Sequence, residues 1–209
     1  MDGMNANHLI TDEATLTALY GESSPASLTK EVDYLHPHYR AMIAASPFVV
    51  LATSGPGGLD VSPRGDPAGF VAIEDDRTLL IPDRRGNNRL DSMRNLIADP
   101  RIALLFLIPG VGETLRVNGR ADISTDPALL ARFPMQGKLP RSVIVVHVET
   151  VYFQCPKAPV RSELWNPAKH IDRKSLPSTG TILADISRDA AGGEQYDREY
   201  PERMKATIY

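Results

Sequence analysis

The segment TLRVNGRADIS, residues 114–124, alternates apolar and polar side chains along most of its length. Leu115, Val117, Ala121 and Ile123 fall on one side, with Arg116, Asn118, Arg120 and Asp122 on the other. Successive strand side chains point to opposite faces, so a period of two predicts a half-buried antiparallel strand. Other β-rich segments surround it. PFVVLAT (47–53) reads as a buried strand, SGPGG (54–58) as a hairpin turn, and LDVSPRG (59–65) as the partner strand. Pro63 has no amide to donate, which confines that partner to an edge or a bulge. GFVAI (69–73) and TLLIP (78–82) flank an EDD turn at 74–76. RIALLFLI (101–108) is apolar on both faces, and SVIVVHVETVYFQC (142–155) is a long β-rich run.

Helical signals are fewer. TDEATLTALYG (11–21) is a short amphipathic piece ending at Gly21, and a second helix is expected over roughly 28–45, starting near Thr29 and stopping before Pro47. A helix over 88–98 follows, and a short one over 126–133 has Asp126 as its cap and Pro127 at the first helical position. Residues 156–209 are mixed and rich in proline, a segment that would wrap the core. A doubly wound parallel sheet needs a helix between most strands, and this chain has too few. The reading is a mainly β fold, a six-stranded antiparallel barrel with flanking α-helices.

Composition narrows the function. The 209 residues carry a formal net charge of −3, which argues against a nucleic-acid partner, for which a basic balance is expected. The single cysteine, Cys155, allows no intramolecular disulfide and fits a reducing compartment; it reads as a small buried residue. No basic and apolar leader opens the sequence, and the longest apolar run, IALLFLI (102–108), falls short of the roughly 20 residues that cross a bilayer. The expectation is a cytoplasmic protein with no membrane partner.

The stretch IPDRRGNNRLDSMRNLIADP (81–100) poses an electrostatic question. Arg84, Arg85 and Arg89 crowd the start of the helix expected at 88, the positive end of its macrodipole. Asn88 is placed to cap that helix by accepting from the Asp91 amide, with Leu90, Met93, Leu96 and Ile97 toward the core. Either the arginines form a solvated turn or an anion sits among them. Unpaired helix amides and guanidinium forks together make a phosphate site. Arg64, in SPRGD (62–66), adds a cation at a strand end, and Arg116 and Asn118 lie on the polar face of 114–124.

The order VSPRGDPAGF, TLLIPDRRGNNRLDSMRNLIADPRIALLFLIPG and ETLRVNGRADIS resembles the pyridoxamine 5′-phosphate oxidase-like family of FMN-binding split barrels, over roughly residues 40–165. CPKAPVRSELWNP (155–167) resembles a C-terminal signature of one branch of FMN-dependent members. The resemblance implies a six-stranded split barrel, a homodimer, and FMN in a groove at the dimer interface. It divides the chain into an N-terminal helical extension (1–46), an FMN-binding split-barrel domain (47–165) and a C-terminal extension (166–209) packing on the barrel or the dimer. By position, Arg64 matches a basic residue contacting the flavin or its phosphate, and Ile81 and Pro82 match the strand end beside the flavin. Arg85, Asn88 and Arg89 fall where the family places phosphate ligands. Thr114 and Arg116 match the strand lining the cofactor from the partner subunit, and Arg161, Ser162 and Trp165 match a segment closing over it. Asp91 and Ser92 stand where the vitamin oxidases carry an Arg-Lys pair, and Thr114 stands where they carry glutamine. The vitamin substrate therefore does not carry over.

A flavin brings its own redox chemistry, so the protein need supply neither nucleophile nor metal. SGPGG lacks the Lys-Ser/Thr of a phosphate-binding loop. His36, His38, His147 and His170 show no metal-ligand spacing, while His147 and Glu149 share one strand face. The implied function is an FMN-dependent oxidoreductase acting on an unidentified small molecule, with NAD(P)H as a candidate donor. A non-catalytic flavin- or haem-binding protein and an F420-dependent reductase stand as alternatives.

Overall fold

The computed structural model describes residues 8–209. Two compact units divide the chain, one ending at Glu31 and one running from Val32 to Tyr209. The first holds α1 (Glu13–Tyr20) and α2 (Pro25–Thr29). Asp12 caps α1 by accepting from the Thr15 amide at 2.8 Å, and Gly21 follows its last turn. The single helix expected over 28–45 is instead two, because α3 (Pro37–Ala45) starts afresh. Pro37 cannot donate to a preceding turn and holds His36 extended, at ψ 145°.

The second unit is built on one antiparallel sheet. Its strands are β1 (Phe48–Gly55), β2 (Gly58–Gly65), β3 (Ala72–Ile73), β4 (Thr78–Asp83), β5 (Arg101–Leu107), β6 (Thr114–Ser124) and β7 (Ser142–Gln154). Their spatial order is β2-β1-β5-β6-β7-β4-β3. The expected mainly β fold with flanking helices is present. The expected six-stranded count is not matched, since the described residues form seven strands and the sheet ends at two edges. The shortest strand is β3, two residues of GFVAI that pair only with Leu79 and Leu80 of β4. β2 is the other edge, as Pro63 requires.

The alternation of 114–124 holds, with Leu115, Val117, Gly119 and Ala121 buried and Arg116 and Asn118 half-buried. A β-bulge interrupts its pairing with β7: Asn118 faces Thr150, Gly119 faces Val148, and Glu149 is the extra residue. There the two backbones touch. A Cβ on Gly119 would lie 2.0 Å from the His147 carbonyl oxygen, so no other residue fits without moving a strand.

The core collects the inward residues of the sheet, among them Leu51, Leu79, Ile81, Leu104, Phe106, Leu115, Val117 and Ile144. Each such side chain contributes roughly 1.5–3 kcal/mol on burial. α4 (Asp91–Ala98) packs on this core through Met93 and Leu96, while buried Asn95 donates to Thr53 Oγ1 at 3.2 Å. The helix starts at Asp91 rather than 88, which leaves Leu90 outside it, and its buried side is centred on Ser92, Met93, Asn95 and Leu96. Leu90 and Ile97, expected inside, are exposed, and Ser92 and Asn95 take their places.

After α5 (Pro127–Leu130), where Asp126 caps as expected, residues 156–209 supply α6 (Lys157–Arg161), α7 (Thr179–Ser187), α8 (Gly193–Thr207) and two short 3-10 turns. Asp197 of α8 accepts from the Ser178 hydroxyl and the Gly180 amide, which ties α8 to the start of α7. Cys155, expected inside, is exposed. Among the described residues no helix is long and apolar enough to cross a membrane.

Candidate functional site

A cleft of about 510 Å³ opens between the inner face of β2, the end of β4, the 84–90 loop and the start of α4. Strand alternation positions its first wall. Asp60, Ser62 and Arg64 of β2 line the cleft, while Leu59 and Val61 do not line it and are exposed. The Asp60 carboxylate accepts from the Ser62 hydroxyl at 2.9 Å and from buried Ser92 at 2.5 Å, stitching α4 to β2. Phe70, Pro82 and Met93 give the cleft an apolar floor.

The loop that carries the arginines is anchored by a buried ion pair. Arg84 donates through Nε to Asp66 Oδ2 at 2.7 Å and through Nη1 to the Phe133 carbonyl at 2.6 Å. The Asp66 side chain is only 2 % exposed and also accepts from the Tyr209 hydroxyl at 2.8 Å. Arg84 is thus committed to structure, because removing either partner would leave a buried charge uncompensated.

Asn88 does not cap the helix. It sits in the left-handed region at φ 59°, and its Oδ1 accepts from Arg141 Nη1 at 2.9 Å. Leu90, at φ 61°, occupies the cap position with no side-chain capping bond. A bulky residue in that region costs on the order of 1 kcal/mol and persists only where its surroundings impose it. The result is an α4 N-terminus with no side-chain cap, facing the cleft. The first amides of a helix have no intrahelical acceptor and sit at the positive end of its dipole.

The cations differ in their commitments. Arg89 is ion-paired with Asp91, which Arg94 also approaches at 3.8 Å. Arg64 donates to the Pro63 carbonyl at 2.9 Å, and Arg141 to Asn88, both neutral acceptors. Arg85 has no hydrogen-bond or ion-pair partner among the described residues. Asp83, half-buried at the end of β4, has its carboxyl pushed up by burial, an effect opposed by the nearby positive charges of Arg64 and Arg141. The cleft therefore holds guanidinium groups able to bind an anion without first breaking an ion pair.

The residues singled out from the sequence fall into two groups. Arg64, Pro82, Arg85, Asn88 and Arg89 line the cleft, and Ile81 is fully buried in the core beside Pro82. Thr114, Arg116, Arg161, Ser162 and Trp165 do not line it. Thr114 Oγ1 lies 3.3 Å from Gln154 Oε1, and Arg116 donates to the Tyr152 hydroxyl at 2.8 Å. Arg161 ends α6, Ser162 donates to the Pro159 carbonyl at 3.2 Å, and Trp165 Nε1 donates to the Val111 carbonyl at 2.8 Å. His147 is exposed and paired with Asp122 at 3.0 Å. Among the described residues no cluster of His, Cys, Asp and Glu could hold a metal. Sequence reading passed over Arg141, Asp66 and Tyr209, whose nearness to the cleft arises from long-range folding.

The model of the family described as pyridoxamine 5′-phosphate oxidase matches residues 35–155. No curated protein matches the chain. Among solved structures, HupZ of Group A Streptococcus is 18% identical, covering 57% of this chain and 94% of its own, with a TM-score of 0.47. A putative pyridoxamine 5′-phosphate oxidase from Lactobacillus delbrueckii is 18% identical over 58% of this chain and 95% of its own, at 0.46. An F420 reductase is 24% identical over 56% and 97%, at 0.42.

Proposed function

We propose, from the premise that this chain belongs to the pyridoxamine 5′-phosphate oxidase family, that it is an FMN-dependent oxidoreductase whose cofactor phosphate binds in the 510 Å³ cleft. The observation that carries this reading is the unpartnered Arg85 beside Arg64, Arg141 and the uncapped start of α4. A phosphate dianion accepts charge-assisted hydrogen bonds from guanidinium forks and from helix amides. The apolar floor of Phe70, Pro82 and Met93 suits a flat aromatic ring. The volume lies within the roughly 300–1,000 Å³ usual for small-ligand sites. The residues present therefore fit FMN, with Arg64, Arg85 and Arg141 holding the phosphate and Asn88 orienting Arg141.

When bound, FMN supplies the redox chemistry, and the protein's part is to bind, orient and exclude water. Anaerobic addition of NADH and of NADPH to the FMN-loaded protein is expected to bleach the visible flavin band with at least one of them. No bleaching with either would leave a binding protein and overturn the oxidoreductase reading.

The homodimer belongs to the same reading. A ladder of side chains runs across one face of the sheet, in register through Pro63, Val50, Leu105, Arg116 and Tyr152. Beside it stand Val61 and Leu59, 66% and 86% exposed. This face is apolar over β2, β1 and β5 and carries Thr114 and Arg116 at its far side. A second copy covering it would bury the apolar half and bring Thr114 and Arg116 toward the partner's cleft. Val61→Asp together with Leu105→Asp is expected to give a monomer by sedimentation and to weaken FMN binding at least about tenfold, since buried like charges oppose association. A dimer that persists in that variant would place the interface elsewhere.

A further inference from the structure

The helix α8 is weakly held along its length. None of its residues is buried, and burial of an apolar face is what ordinarily fixes a helix on a domain. Pro201 lies inside it with no amide to donate, so one intrahelical bond is missing. Its side-chain pairs are mostly its own: Arg198 with Glu194, Gln195 with Glu199 and Lys205 with Glu202. Asp197 ties its first turns to the start of α7. From residue 198 onward the next hydrogen bonds leaving the helix, among the described residues, are those of Tyr209.

Those bonds are made at the cofactor cleft. Ile208 and Tyr209 follow α8 and line the cleft wall. The Tyr209 hydroxyl donates to Asp66 Oδ1 at 2.8 Å, and Lys138 Nζ donates to the Tyr209 main-chain oxygen at 2.6 Å. The bond to Asp66 pushes the phenol above its ordinary value, so it stays protonated and donating through the neutral range. The Asp66 carboxylate is shared, because its Oδ2 accepts from Arg84. Releasing Tyr209 therefore leaves the arginine loop anchored while one wall of the cleft moves aside. Segments with few buried apolar contacts open at far lower free energy than a core strand does.

We infer that Ile208 and Tyr209 form a latch on this cleft, closed by the bond to Asp66 and opened for ligand entry and exit. The identity of the ligand, FMN, rests on the function proposed above; the motion of the latch rests on the contacts of Tyr209 and the exposure of α8 alone. Gates of this kind set the rates at which a site fills and empties, and leave its affinity nearly unchanged when they do not touch the ligand.

Stopped-flow fluorescence of FMN mixing with the full chain tests the latch. Tyr209→Phe keeps the ring and removes the donor. Because opening precedes both entry and exit, association and dissociation should each become roughly fivefold faster, with Kd changed by less than about twofold. Lys138→Gln, which removes the second tie, should act in the same direction. Faster dissociation alone, with affinity lost, would make Tyr209 a direct contact of the cofactor and overturn the latch, as would unchanged rates in both variants. Trypsin supplies a readout without FMN. Cleavage after Lys205 requires the last turn of α8 to open, and with fast opening its rate follows the open population. The Tyr209→Phe chain should be cut there roughly fivefold faster than the wild type. Equal cleavage overturns the latch even if FMN binds. Faster cleavage in a chain that fails to bind FMN would uphold the latch and overturn the flavin reading alone.

Discussion

Arg85 and Arg141, replaced together by alanine, should bind FMN on the order of 100-fold more weakly than the wild-type chain. Each charge-assisted hydrogen bond to a phosphate is worth about 1.5–3 kcal/mol, and the lower figure applies because both side chains are largely exposed. Two such losses amount to roughly 3 kcal/mol, or two decades in Kd. The contrast with the other arginines makes the prediction specific. Arg89 is held by Asp91 and lies 79% exposed, so Arg89→Ala should change affinity only a few-fold. Arg84→Ala would act differently, by stripping the buried Asp66 of its counter-ion and loosening the loop, and so would lower stability as well as binding. Quenching of FMN fluorescence on titration measures all three. Equal losses in the Arg89 and Arg85/Arg141 variants would mean that general positive charge, rather than available guanidinium groups, attracts the cofactor.

Gly119→Ala is expected to destabilise the fold by about 3 kcal/mol or more, near the upper end of overpacking effects. The added methyl would overlap the His147 carbonyl oxygen and lie 3.3 Å from the Val148 Cα. Both obstacles are backbone atoms in the strand pair β6–β7, which also crosses the centre of the sheet. No rotamer change relieves them; either the bulge at Glu149 shifts or the strands part. Urea denaturation measures the loss as a lower midpoint at unchanged slope. A midpoint within experimental error of the wild type would show that the bulge is not held where the pairing places it. The nearby Asp122–His147 pair provides the internal contrast. It is exposed, and Asp122→Ala should alter stability by less than about 1 kcal/mol.

The β-sheet was legible because its evidence is local. The alternation of 114–124 survives intact in the burial of Leu115, Val117 and Ala121, and Pro63 marks β2 as an edge from its chemistry alone. The start of α4 was less legible. Asn88 is a good capping residue in isolation, but a contact with Arg141, 53 residues on, engages its side chain, and the chain turns through left-handed Leu90 before the helix begins. That choice is made by tertiary structure, and leucine gives no local sign of it. The same limit separates the arginines: 84, 85 and 89 look equivalent in sequence, and only folding commits Arg84 to Asp66 and Arg89 to Asp91 while leaving Arg85 unpaired. Arg141 follows a proline in a short connection with nothing around it to suggest an anion. Thr114 and Trp165 entered only through family resemblance, while Arg116 was also marked by the polar face of 114–124; within one chain all three stand apart from the cleft.

The central claim is that the cleft recognises the phosphate of a flavin, and riboflavin isolates that group because it differs from FMN by the phosphate alone. Parallel fluorescence titrations of the wild-type chain with FMN and riboflavin test the claim most directly. The account predicts that FMN binds about 100-fold or more tightly than riboflavin, and that the advantage shrinks to a few-fold in the Arg85/Arg141 double variant. Equal affinity for the two flavins in the wild-type chain would contradict it.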